Sequence, residues 1–568
     1  MRFIKASLFF IFLLFTFSFS NAQLLEPKDE FTHADTLRGS NGPGRNWWDV
    51  LKYDIHVKFN LEDSTISGWN EIEFKVTDAS IPITSVHGNL TRSMQIDLQD
   101  PLILDSVLVH HAGLENIITK QKFSKEGNAY FINLIGCKLL TKIKNPVIKI
   151  YYHGKPTIAL RPPWDGGVIW KRDKNKNPFI SIACEGLGAS VWYPCKDIQS
   201  DEPDSAEMHI TIPENLECVG NGRFRGKTNN IDGTATYNWA VTSPINNYNI
   251  IPYIGKYAHF SEVYKGEAGD LDMDYWVLDY NLEKAKEHFK DAPKMMQAFE
   301  YWFGPYPFYA DGYKLVEAPH LGMEHQSAIA YGNAYKKGYL GMDRSTSGFG
   351  SKFDYIIVHE SGHEWFGNNI TSKDAADMWV HESFTSYSET LFTEYYYGKE
   401  AADQYVRGWR REISNDKLII GIYGVNKEGS GDMYSKGANM IHTIRQVIND
   451  DSLFRQILRG LNKTFYHQTV NGKDVEDYIS RESKIDFSKV FDQYLRTTDI
   501  PTLEYKLSGN KLQYRYTTCI KGFNLPLKIY FKGAKWINPA ENWQTLIEEG
   551  AAGFSVDPNF YINTKKVD

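Results

Sequence analysis

The sequence predicts an α+β protein of several domains, because its hydrophobic period changes twice along the chain. From Trp47 to about Phe260 apolar and polar residues alternate, which is the period of strands with one buried face. Near Asn281 the spacing becomes helical, and after Leu503 the alternation returns. A length of 568 residues accommodates about three or four domains. We therefore expect a leader at residues 1–22, a mostly antiparallel β N-terminal domain at 23–262, a helix-rich domain at 263–497 and a small C-terminal β domain at 498–568.

The leader is read from Arg2 and Lys5, an apolar run from Ala6 to about Phe19, and Ser20-Asn21-Ala22-Gln23, where a small residue precedes a cut. This pattern predicts a cleaved signal peptide and export, to a periplasm or to the outside. The run is shorter than the roughly 20 residues that a bilayer core requires, and no later segment is apolar for so long. The mature chain is therefore expected to carry no transmembrane helix. No cysteine follows the cut, so a lipid anchor has no support.

In the N-terminal domain Tyr53, Ile55, Val57 and Phe59 alternate with polar neighbours, as do Ile72, Phe74 and Val76 with Glu71, Glu73 and Lys75. Gly226-Lys227-Thr228 is a near miss to a phosphate loop, but Asn221 occupies the place of the first glycine, and a turn is expected there. The helical pattern opens with Leu282, Ala285, Phe289, Met295, Met296 and Phe299, where Pro293 marks a break or a second start. It dominates from Phe353 to about Leu495. In the tail, Leu503 to Leu507 and Leu512 to Tyr516 flank a Ser508-Gly509-Asn510 turn.

Composition narrows the function. Hydrophobic residues at 42% and charged residues at 23% exclude a disordered chain, and a net charge of -7 argues against nucleic acid as a partner. The five cysteines form no CxxC pair, which argues against a zinc ribbon, a thioredoxin-like site or a disulfide-dense scaffold. One or two bridges stay open.

The chemistry is concentrated in Val358-His359-Glu360-Ser361-Gly362-His363-Glu364. Histidines four apart on a helix project from one face, so His359 and His363 can share a metal ion. Catalytic zinc takes three protein ligands and keeps a fourth position for water, and Glu382, nineteen residues beyond His363, supplies the third. Metzincin spacing fails, because Phe366 and Asn369 stand where that motif needs Gly and His. Charge then assigns the roles. Zn²⁺ acidifies a water and polarises a carbonyl, while Glu360 takes the water's proton and hands it to a leaving amine. Gly362 is expected to leave room near the metal. His381 and Glu364 flank ligands and are read as outer supports of the site or as solvent-facing positions.

At these residues the sequence resembles the gluzincin aminopeptidases of the aminopeptidase N and leukotriene-hydrolase type. Phe303-Gly304-Pro305-Tyr306-Pro307-Phe308 is similar to the family's FGxYPF, and Gly322-Met323-Glu324-His325 to its GxMEN motif. Tyr434-Ser435-Lys436-Gly437-Ala438 and Trp192-Tyr193-Pro194-Cys195-Lys196-Asp197 resemble two further family elements. The resemblance implies a thermolysin-like catalytic domain and one Zn²⁺ per chain. It implies that Glu324, with Gly322 and Met323 beside it, binds the substrate's free α-amine, that Glu185 reinforces this pocket, and that Tyr434 donates a hydrogen bond to the oxyanion.

Two departures stand out. His325 replaces the family's Asn and Leu321 departs from the usual opening of the motif, which bears on substrate preference because a protonated His325 would oppose an ammonium ligand. The sequence given ends at Asp568, so the large helical C-terminal domain of many members is expected to be missing, with an open cleft, or one closed by a partner subunit in a homo-oligomer. The expectation is an exported zinc metallo-aminopeptidase acting on peptides with a free N-terminus. The alternatives are a gluzincin endopeptidase or epoxide-type hydrolase, and a non-catalytic exported binding or scaffold protein on the same fold.

Overall fold

The computed structural model describes residues 30–78, 84–86, 89–110, 118–135, 145–547 and 553–568. The leader expected at 1–22 lies outside them. Among the described residues no helix is long and apolar enough to cross a membrane.

An eleven-stranded sheet carries the N-terminal half. Trp48–Asn60 pairs antiparallel with Thr65–Val76 on one side and parallel with Ser205–Pro213 on the other, whereas the remaining described pairs of this sheet are antiparallel. Alternation serves its purpose here: Tyr53, Ile55, Val57 and Phe59 are all buried on one face with Ile72 and Phe74. Lys227 and Thr228 are not a turn but part of the strand Arg223–Asn229, where the register shifts between Phe224 and Gly226. A bulge there absorbs the glycine, a device that composition alone does not separate from a turn.

A second sheet of five strands orders Tyr257–Gly266, Gly269–Leu278, Tyr313–Glu317, Ile329–Tyr331 and Gly322–Met323. Its first hairpin straddles the expected junction at 262/263, and Tyr257 and Leu278 at its ends pack in the N-terminal core. Alternation runs unchanged across that point because both sides are strand. Met273, Tyr275 and Val277 of this hairpin join Phe289, Met295, Met296 and Phe299 in one core. Pro293 marks a second start: it sits in the first turn of Asp291–Phe303, after a short helix at Leu282–His288.

The C-terminal strands Thr502–Ser508 and Lys511–Thr517 pair across the expected turn. Leu503, Leu512 and Tyr516 belong to the same core as the helices, so the small C-terminal β domain packs directly on the helical region. Met323, Ala328 and Ala330 instead join the core of the N-terminal domain. The Gly322–Met323 edge strand therefore bridges the two halves of the molecule, and Glu324 follows directly from it. Of the cysteines, Cys184, Cys195, Cys218 and Cys519 are free thiols, and Cys137 lies outside the described residues.

Candidate active site

The helix Tyr355–Gly362 begins at Asp354, whose side chain accepts from the amides of Ile356 and Ile357 at 2.9 and 3.2 Å, satisfying two donors of the first turn. Tyr331, Asn333 and His288 hold the same carboxylate from other elements. His359 projects from this helix and His363 caps its end, their ring centroids 5.1 Å apart at 81°. Glu382 lies in the first turn of the next long helix, Trp379–Tyr397. Its Oε2 stands 3.7 Å from His359 Nε2 and 3.5 Å from His363 Nε2.

These three ligand atoms fit a metal ion. They lie within 4.8 Å of one another, and Glu382 Oε2 is buried with no hydrogen-bond partner, a costly arrangement unless a cation completes it. Each histidine is fixed from behind. His359 Nδ1 is 2.8 Å from Glu389 Oε1, and Glu389 Oε2 accepts from the Tyr405 hydroxyl at 2.6 Å. His363 Nδ1 donates to the Phe366 carbonyl at 3.1 Å. Such partners orient the rings so that Nε2 faces the ion. Sequence reasoning missed Glu389, although it lies seven residues after Glu382, two turns along the same helix face.

Glu360 is buried beside the ligands. Burial pushes its carboxyl up to about 8, His359 opposes this, and Glu324, Glu382 and Glu389 add to it. A Cβ at Gly322 would stand 2.6 Å from Glu360 Oε1, so this position must be glycine for the carboxylate to sit where it does. At Gly362 the expectation of room near the metal is replaced by another cause. A Cβ there would meet Ser388 Oγ at 2.6 Å, so Gly362 admits the neighbouring helix.

Glu324 is placed by the zinc-motif helix itself. Glu364 accepts from Ser327 N at 3.0 Å, Asn368 Nδ2 at 3.2 Å and the Tyr306 hydroxyl at 2.7 Å. Asn368 Nδ2 also donates to the Glu324 carbonyl at 2.8 Å. Glu364 is thus a buried brace and not a solvent-facing residue, and Tyr306 explains the Phe303–Phe308 motif. His381 is buried too, its Nε2 accepting from Ser372 N at 2.8 Å. The Glu324 side chain accepts from the Tyr248 hydroxyl at 3.1 Å, and burial raises its carboxyl. Glu185 is close enough that its own carboxyl, raised first by burial, is raised next by Glu324.

His325 bonds away from this pocket, its Nδ1 2.5 Å from the Tyr253 hydroxyl, and burial holds it well below the usual imidazole range. It is neutral and does not oppose an ammonium. The Met323 side chain is buried in the N-terminal core, so Gly322 and Met323 contribute backbone and space but no side-chain polar atom. Tyr434 stands in the helix Asp432–Ile448 with its ring 6.1 Å from that of His359. Burial, then the charges of Glu382 and Glu185, raise its phenol well above the usual value, so it remains a donor. The structure therefore brings together His359, His363, Glu382, Glu360, Glu324, Glu185 and Tyr434.

A His-Glu-x-x-His helix whose third ligand is a glutamate on the following helix defines a gluzincin site. Residues 287–494 match the model of the peptidase family M1 domain. Leucine aminopeptidase 2 of Vanderwaltozyma polyspora is 21% identical over 529 residues, covering 88% of this chain and 72% of that protein. Tricorn protease-interacting factor F2 of Thermoplasma acidophilum is 20% identical over 496 residues, covering 82% of this chain and 55% of the relative. The chain spans about half the length of several curated relatives that it matches, among them probable aminopeptidase 1 of Saccharolobus solfataricus at 50%. In fold it is similar to an M1 zinc metallopeptidase mutant from Deinococcus radiodurans solved with a Tyr-Ser-Ala substrate, with a TM-score of 0.63 and 17% identity over 79% of this chain and 94% of that one. The matched segment, residues 287–494, holds His359, Glu360, His363, Glu382 and Tyr434, and over it the chain is similar to the peptidase family M1 domain.

Proposed function

We propose that the protein is a zinc aminopeptidase that removes single residues from the amino end of peptides, with one Zn²⁺ per chain held by His359, His363 and Glu382. One observation carries the reading: ligand atoms of Glu324, Glu360 and His363 all lie within 4.8 Å of one another. In a peptide the α-amine and the first carbonyl carbon are two bonds apart, about 2.5 Å. A carboxylate that holds the amine this close to the proton acceptor leaves space for one residue between them. An internal peptide bond has no ammonium to offer Glu324.

Bound at the three ligands, zinc supplies Lewis acidity, acidifying a water and polarising the scissile carbonyl. Glu324 and Glu185 pair with the α-ammonium, and Tyr248 orients Glu324. Glu360 takes a proton from the attacking water and returns it to the leaving amine. Tyr434 donates to the oxygen that becomes negative, an interaction that strengthens as charge develops. Residues 1–22 support export to a periplasm or the outside, which N-terminal sequencing of the mature protein checks.

The test is hydrolysis of aminoacyl-arylamides by zinc-loaded protein. Chelation should abolish it, an N-acetylated peptide should be spared, and Glu360→Gln should keep its zinc while kcat falls about 10³-fold. Internal cuts in the blocked peptide, or full activity without zinc, would overturn the reading.

A further inference from the structure

A small cleft of about 40 Å³ opens beyond the amine-binding carboxylates, with Glu185, Tyr248, Met378 and Glu428 among its walls. It starts where the α-amine is read, since the Tyr248 hydroxyl bonds Glu324. Met378 caps the start of the helix that carries Glu382, so the cleft runs against the metal-binding helix.

Glu428 stands on the loop that leads into the Tyr434 helix. That loop is pinned: Gly421 N donates to Ala376 O at 2.9 Å, Gly424 N to Asp374 Oδ2 at 2.8 Å, and Asn426 Nδ2 to Gly186 O at 2.9 Å, beside Glu185. Among the described residues the half-buried Glu428 side chain makes no hydrogen bond and no ion pair. An ordinary loop glutamate would be solvated, whereas this one faces a cleft, and a half-buried carboxylate without a partner is costly. Burial raises its carboxyl to about 7, Lys427 and Lys417 oppose this, and Glu382 adds to it.

Lys427 and Lys417 lie near Glu428, but among the described residues neither forms an ion pair with it. Arg38 is paired with Asp197 at 3.3 Å, and Lys427 is engaged and forms no ion pair with Glu428 among the described residues. With Glu324 included, the lining presents the carboxylates of Glu185, Asp197, Glu324 and Glu428 against Arg38 and Lys427. The substrate's α-ammonium answers one of the two left over. One carboxylate remains for the side chain.

We propose that Glu428 makes this cleft a pocket for a cationic first side chain, so that N-terminal lysine or arginine is removed in preference to neutral residues of equal length. The inference rests on the aminopeptidase reading, but its test separates the two. Lysyl- and norleucyl-arylamides differ in length hardly at all and in charge by one ammonium. The wild-type kcat/KM should favour the lysyl substrate about tenfold or more, the scale of a charged hydrogen bond. Glu428→Gln should bring the ratio towards one, and Glu428→Asp should keep part of it. Binding of lysine hydroxamate against norleucine hydroxamate to zinc-loaded Glu360→Gln protein, measured by calorimetry, should show the same preference. Should no arylamide be cleaved, the aminopeptidase reading has failed, yet the hydroxamate ratio still reports on Glu428. A wild-type ratio at or below one in both assays, or a ratio that Glu428→Gln leaves unmoved, overturns the proposal.

Discussion

Among the described residues, two regions bring two histidines and one carboxylate within 4.8 Å: His359, His363 and Glu382 in the helical core, and Asp54, His56 and His209 on the N-terminal sheet. In the core the rings meet at 81°, and the nitrogens stand 3.7 and 3.5 Å from the carboxylate. Ligands about 2.0–2.1 Å from a tetrahedral zinc stand about 3.4 Å apart, so this spacing suits an ion between them. On the sheet, His56 and His209 are register partners on parallel strands, with their rings 4.1 Å apart at 14°. Trp69 stacks on the other side of His56 at 4.5 Å.

An imidazole lone pair lies in the ring plane, so two stacked rings cannot aim at one point, whereas two rings near perpendicular can. The nitrogens on the sheet stand 2.9 and 3.1 Å from Asp54 Oδ1, too close for an ion to sit between them. Residue type and proximity are shared by the two clusters. Ring orientation, imposed by Glu389 and Phe366 in one case and by cross-strand stacking in the other, separates them.

The sharpest way to break this contrast is zinc stoichiometry. His363→Ala should lose the ion, while His209→Ala should leave one zinc per chain by elemental analysis; loss of zinc in the sheet variant would erase the distinction. Next in size is Tyr434→Phe, which removes a donor that the sheet cluster has no counterpart for. A kcat lower by about 10²–10³-fold with KM little changed is expected, and an effect confined to KM would assign Tyr434 to ground-state binding.

Glu389→Gln tests the support behind His359 and should weaken zinc about 10–100-fold in a chelator competition. Unaltered affinity would mean that the helix alone orients the ring. The smallest effect belongs to the sheet. The hydrogen bond to Asp54 raises His209 above its ordinary value, with burial opposing. Its contribution to stability is therefore full below about pH 6.5 and is lost as pH rises through the elevated value. Asp54→Asn should lower Tm by about 1–2 °C at pH 6 and by less at pH 9, since pairs this exposed are worth little. A deficit that grows with pH would reverse the assignment.

Much of the site was legible before any coordinates. The helical spacing of His359 and His363, the return of Glu382 and the motifs around Glu324 and Tyr434 all identify residues that the structure gathers. The period changes likewise located the sheet-rich half, the helices and the tail, because period is a property of one element at a time. The hairpin that spans 262/263 escaped, since both of its strands alternate and the period does not change there. Glu389, the brace from Glu364 through Asn368 to Glu324, and the unpaired Glu428 escaped for a different reason. Each acts across elements distant in sequence, and nothing in its own neighbourhood distinguishes it from a solvated acid.

Local order along the chain thus determined which residues can act together on one helix or strand, and so named the ligands and the proton acceptor. Packing decided the rest: which rings stand at right angles, which glycine yields space to a carboxylate or a helix, and which acids are left without a partner. Those outcomes depend on distances between elements, and such distances exist only once the two cores have closed around the Gly322–Met323 strand that joins them.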